Sequence, residues 1–136
     1  MSTESNGGYL LIFRGTDWHV GLSPEKTQEV VGEWMAWFKR LKEQGKVADG
    51  SPLAPSGKIV SGKNGRIVAD GPFAESKEAI GGFFYVTVPH LDEAVEIAKE
   101  CPALAYGAQV EVRPVLSQCP AAGEALPEAQ LAEASA

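Results

Sequence analysis

Two stretches with helical spacing of apolar residues, each set between short β-type runs, restrict this chain more than any other feature. The first carries its own start and stop signals. Ser23 can cap a helix, Pro24 suits its first position and Glu25 complements the dipole. Val30, Val31, Trp34, Met35, Trp37, Phe38 and Leu41 then recur at helical intervals, and Gly45 supplies the stop. The stripe is wide. One side is expected to face a sheet, while Val31, Met35 and Phe38 flank the main line and point to a second contact, for which a partner subunit is a candidate. The second helix opens at His90-Leu91-Asp92-Glu93, with Leu91, Ala94, Val95 and Ala98 on one face, and Cys101-Pro102 closes it.

The runs between these helices read as strands. Tyr9-Leu10-Leu11-Ile12-Phe13 is a short continuous apolar run ending at Arg14-Gly15, with the aromatic and β-branched content of a buried strand. The stretch 47–55 is extended, and Pro52 and Pro55 limit its ladder bonding. Lys58-Ile59-Val60-Ser61-Gly62-Lys63 and Arg66-Ile67-Val68-Ala69 flank Asn64-Gly65, the dipeptide that a type I′ hairpin turn favours. The stretch 82–88 is the strongest strand pattern, ended by Pro89, and Gln109-Val110-Glu111-Val112-Arg113 alternates like a half-buried strand. The order strand, helix, strand, hairpin, strand, helix, strand predicts an α+β sandwich of ferredoxin-like topology with an inserted β-hairpin, both helices covering one sheet face. The other face needs a cover, and pairing two sheets in a homodimer supplies one.

Length allows one domain, assigned to residues 9–116. Residues 1–8 are polar and residues 117–136 are rich in Ala, Glu and Pro, so both ends are expected to be flexible. The net charge of −6 opposes direct nucleic-acid binding and docking on anionic membranes. Neither a signal-peptide pattern nor an apolar run of membrane-spanning length is present. Cys101 and Cys119 read as reduced thiols, which gives a cytoplasmic expectation. There is no Cys-x-x-Cys, the histidines His19 and His90 stand far from both cysteines, and nucleotide-binding and metalloprotease motifs are missing. No cofactor and no metal are expected.

The chemistry-bearing residues cluster around one turn. Asp70 follows a strand end and precedes Gly71-Pro72, which can fix a turn. Its carboxylate either closes that turn onto backbone amides or stands over a cleft as acid, base or ligand anchor. Glu75, Ser76, Lys77 and Glu78 form a polar patch in which Lys77 can neutralise a ligand anion, or simply be part of a solvated face. His19, in the loop after the first strand, is a second proton-carrier candidate, with Asp17 two residues earlier. Trp18 suits a pocket wall. Arg14 and Arg113 end strands and can bind an anion or form a salt bridge to Glu111 or Asp70.

Asp70-Gly71-Pro72-Phe73-Ala74-Glu75-Ser76-Lys77-Glu78, followed by Gly81-Gly82-Phe83-Phe84, closely resembles the signature of DGPF proteins, which belong to the YCII-related domain family. Leu91-Asp92-Glu93-Ala94, Tyr106-Gly107, Glu111-Val112-Arg113-Pro114 and, upstream, Leu22-Ser23-Pro24-Glu25 and Gly50-Ser51-Pro52-Leu53 also fit. The resemblance implies a ferredoxin-like domain that dimerises through its sheets as a dimeric α+β barrel. It also implies a cleft with a histidine and an aspartate. Asp70 matches the aspartate. The histidine of the broader family lies in the first helix, and residues 25–41 contain none. Asp70 and His19 are therefore the catalytic candidates, and Arg14, Trp18, Ser51, Phe73 and Lys77 the ligand-binding candidates. Some relatives accompany sigma factors of the extracytoplasmic-function class, which implies a regulatory partner reached through protein contacts. Two readings follow: a small-molecule enzyme using Asp70, or a non-catalytic ligand-binding or regulatory dimer.

Overall fold

The computed structural model describes residues 7–71 and 79–117. The candidates Phe73 and Lys77, the rest of the polar patch, Cys119 and most of both tails lie outside the described residues. The elements run β1 (Tyr9–Arg14), α1 (Pro24–Glu43), β2 (Val47–Pro52), β3 (Lys58–Ser61), β4 (Ile67–Asp70), β5 (Ile80–Val86), α2 (Leu91–Ala98) and β6 (Gln109–Pro114).

Helix α1 begins and ends where its sequence signals stand. Ser23 Oγ accepts the Lys26 N–H at 3.1 Å. At the other end Gly45 adopts φ 72°, and the Lys46 and Gly45 N–H groups return to Leu41 O and Lys42 O at 2.9 and 3.1 Å. This double closure satisfies carbonyls that a helix end otherwise leaves open. Helix α2 stops at Ala98, before the expected Cys101-Pro102, because Cys101 opens a separate 3-10 turn over Pro102–Tyr106.

Four strands form one sheet in the order β2-β5-β1-β6, and each neighbouring pair is antiparallel. The crossovers β1-α1-β2 and β5-α2-β6 each return to a strand beyond an intervening neighbour. This is an α+β arrangement compatible with a ferredoxin-like fold. The core lies between the sheet and the two helices. Tyr9, Leu11 and Phe13 of β1 and Phe84 and Val86 of β5 meet Val30, Trp37 and Leu41 of α1 and Ala94, Ile97 and Ala98 of α2. The continuous apolar run of β1 divides by strand alternation. Leu10 and Ile12 face the opposite side, opposite Tyr85 and Phe83 of β5, and all four are half-buried.

The expected strand at 82–88 is shifted to Ile80–Val86, and just past its end the Thr87 N–H donates to Lys46 O at 2.9 Å, next to the start of β2. The hairpin forms as a separate two-stranded sheet. Asn64 and Gly65 both adopt positive φ, 62° and 67°, as their sequence implies. The connection is nevertheless five residues long, from Ser61 to Ile67, because Gly65 N–H closes a 3-10 turn on Gly62 O at 3.0 Å.

Among the described strands β2 pairs only with β5, and two glycines set their approach. A Cβ on Gly50 would lie 2.8 Å from the Phe38 and Phe84 rings, and one on Gly82 would lie 2.8 Å from Ser51 O. The second obstacle is backbone and cannot rotate aside. Gly82→Ala is expected to cost about 1–3 kcal/mol of folding free energy through overpacking. Urea unfolding measures it, and an unchanged midpoint would show that the β2–β5 spacing is not tightly set.

Candidate functional site

The site begins where β1 ends. Gly15 has φ 75°, and a Cβ there would stand 3.0 Å from Ala108 Cα and Gly107 O, so the exit of β1 passes close to the start of β6. Three tight turns follow. Trp18 N–H bonds to Gly15 O at 3.2 Å, Val20 N–H to Asp17 O at 3.0 Å and Leu22 N–H to His19 O at 3.1 Å. They hold Trp18 beside Trp34 of α1, with His19 against the Trp18 ring. The Trp18 ring lies 6.1 Å from Trp34 and 6.4 Å from Tyr106, and His19 meets it edge-on at 5.5 Å.

The extra width of the α1 stripe acquires a role here. Val31, Trp34, Met35 and Phe38 line one wall of a cleft of about 980 Å³. Phe13 and Phe84 of the sheet join them, Phe13 edge-on to Trp34 at 4.9 Å and Phe84 at 4.9 Å from Phe38. The other walls are residues 50–58 and 79–82. Met35 is 68% exposed, so this wall opens to solvent.

Four of the sequence candidates, Arg14, Trp18, His19 and Ser51, line this cleft together. Asp70 does not, although its neighbour Gly71 does. Lys58 and Asp70 are register partners across the hairpin, so their side chains share a face and form an ion pair. The Asp70 side chain is 74% exposed, and Lys58 belongs to the cleft lining. Gly71 takes φ 144°, and its N–H donates to Gly57 O at 3.1 Å, which ties the end of β4 to the segment before β3.

Arg14 also makes the salt bridge its sequence position allows. Its Nε donates to Glu111 Oε1 at 2.8 Å, and Arg113 Nη1 donates to Glu111 Oε2 at 2.9 Å. Hydrogen bonds from Arg113 and then Arg14 hold the Glu111 carboxyl below its ordinary value. Cys101 is buried, and burial pushes its thiol up, away from the reactive thiolate. Among the described residues no group of three or more His, Cys, Asp or Glu side chains gathers to hold a metal, and no helix is long and apolar enough to cross a membrane.

Sequence reasoning missed Trp34, Met35 and Phe38 as cleft residues, and Lys58 altogether. The signal for the first three was the width of the helical stripe. Lys58 had none, because its neighbour depends on the hairpin register.

The depressed Glu111 carboxyl links stability to pH. A carboxyl more acidic when folded stabilises the fold above its unfolded value, and that contribution is lost as pH falls through the folded value. Glu111→Gln is expected to flatten the acid limb of the stability profile below the ordinary carboxylate range, with little change in slope near neutrality. Denaturation midpoints across acid pH test this, and an acid limb identical in the variant would contradict it.

Comparison with known proteins agrees with this architecture. Residues 9–117 match the YCII-related domain. An uncharacterized protein of Rhizobium meliloti (strain 1021) is 32% identical over 97 residues, which span 68% of this chain and 78% of that relative. With the match running from the first residue of β1 to beyond the end of β6, the chain belongs to the YCII-related domain family.

Proposed function

We propose that this domain is a small-molecule-binding module of the DGPF type, whose cleft takes a compact apolar or aromatic ligand. One observation carries the reading: five aromatic rings, Phe13, Trp18, Trp34, Phe38 and Phe84, converge on a cleft of about 980 Å³. Pockets of roughly 300–1,000 Å³ lined by rings and a few polar groups are the usual shape of small-molecule sites. Ser51 and His19 supply polar atoms in the same lining. Turnover in this cleft would fall to His19 and to Asp70, one residue before Gly71. Binding is favoured over turnover because the Asp70 carboxylate, the aspartate candidate, is held in an ion pair with Lys58 and is 74% exposed.

Calorimetric titration with 2-phenylethanol, a small neutral aromatic, tests the reading. Saturable binding is expected. Met35→Glu places a charge on the cleft wall at an exposed position, so the fold tolerates it while affinity falls at least about fivefold. Binding unaffected by Met35→Glu would move the site elsewhere.

The domain is further proposed to act as a dimer, its sheets packed face to face into an α+β barrel. Leu10, Ile12, Phe83 and Tyr85 support this. They form an apolar patch on the sheet face away from the helices, in the centre of the sheet. Sedimentation velocity is expected to give a dimer, and Phe83→Asp a monomer. A monomeric parent protein would rule the barrel out.

A further inference from the structure

We propose that the β3–β4 hairpin is an arm by which one copy of this chain clasps the body of a second copy. This rests on the dimer reading above and adds a contact outside the sheet face. Every residue from 58 to 70 is exposed. Four large aliphatic side chains are among them: Ile59, Val60, Ile67 and Val68, each between 46% and 61% open to solvent.

A strand that packs on its own body alternates between buried and more open residues, as β1 does. Strands β3 and β4 show no such alternation. Their register sets Val60 opposite Val68 on one face, and Ile59 opposite Ala69 with Ser61 opposite Ile67 on the other. Both faces are therefore apolar, the pattern of a strand pair covered from two sides. The root of the hairpin is tied down, since Gly71 N–H donates to Gly57 O at 3.1 Å and Lys58 pairs with Asp70. A two-stranded hairpin alone is marginal in water and gains stability from a surface to pack on.

Area and charge make that surface a second copy. A stable interface takes about 800 Å² from each partner. Leu10, Ile12, Phe83 and Tyr85 are already half-buried and supply only part of it. The four hairpin side chains leave roughly 400 Å² of apolar surface open across the two faces, as much as the largest patch of many monomers. They can therefore make up much of the difference. The hairpin also carries Lys58, Lys63 and Arg66 against Asp70, a net +2 in a chain of net −6. Two hairpins brought together would repel, whereas a hairpin meeting the body, net −8, is attracted.

The test replaces Ile59, Val60, Ile67 and Val68 together with threonine, which keeps the β-branched shape that strands favour. Sedimentation velocity over a dilution series reads the dimer, and far-UV circular dichroism checks the fold. The dimer is expected to weaken at least about tenfold in the folded variant. Isotope-filtered NMR of the parent protein, mixed from labelled and unlabelled copies, gives a reading that does not depend on the variant. Methyl groups of Ile59, Val60, Ile67 and Val68 are expected to show contacts to the other copy. If the parent is a monomer, the dimer reading fails and takes this inference with it. If the parent dimerises and the threonine variant dimerises as tightly, the arm is overturned and the sheet dimer stands. Hairpin methyl contacts confined to one copy would make the hairpin a cover for its own body, and none at all would leave it for a different protein; either result overturns the arm.

Discussion

Helix α1 is fixed to the sheet through a knot of aromatic rings, and the position of nearly everything else follows from that contact. Trp37 is only 1% exposed and packs against Phe84 at 4.8 Å and Phe13 at 6.0 Å. Its indole N–H, which burial would otherwise leave without water, donates to Glu100 Oε1 at 2.9 Å. Emptying such a position costs about 3–5 kcal/mol in other cores, a large part of a small domain's stability. The hydrogen bond also spans from α1 to the residue just before Cys101, so the ring knot sets the helix against both the sheet and the α2 end of the chain.

The cleft is a consequence of that seating. Phe13 and Phe84 touch each other at 4.9 Å and each work in two directions. On one side they touch Trp37 and complete the core, and on the other they touch Trp34 and Phe38 and floor the cleft. Gly50 permits Phe84 of the floor and Phe38 of the wall to lie this close to β2, since a Cβ would strike both of those rings. The site is therefore not a loop added to a finished fold. It is the solvent-facing end of the same aromatic packing, and its floor, Phe13 and Phe84, is buried with the core behind it.

Most of the fold was legible because local signals and long-range pattern agreed. The Ser23-Pro24-Glu25 start, the Gly45 stop and the two helix-flanked strand pairs all form. The cleft was half legible. Trp18 and His19 are readable from their loop, while the wide stripe of α1 reads from sequence as a partner-subunit contact. Helical periodicity gives the direction of a side chain but not the distance to what faces it, so a wall of a cleft and a wall of an interface look alike. Asp70 marks the harder limit. A two-residue Asn64-Gly65 turn would set Ile59 opposite Asp70, whereas the five-residue connection sets Lys58 there. A single step of register converts an unpaired carboxylate into one held by a cleft lysine, and no local signal fixes that step.

The central claim is that a small aromatic ligand enters between α1 and the floor of Phe13 and Phe84, and the three tryptophans report on it separately. Trp18 and Trp34 line the cleft, while Trp37 lies behind Trp34 at 6.4 Å and is buried. Fluorine NMR of protein labelled with 5-fluorotryptophan, titrated to saturation with 2-phenylethanol, is predicted to shift the Trp18 and Trp34 resonances and leave that of Trp37 in place. No shift in any resonance, or a shift of Trp37 as large as the other two, would contradict the account.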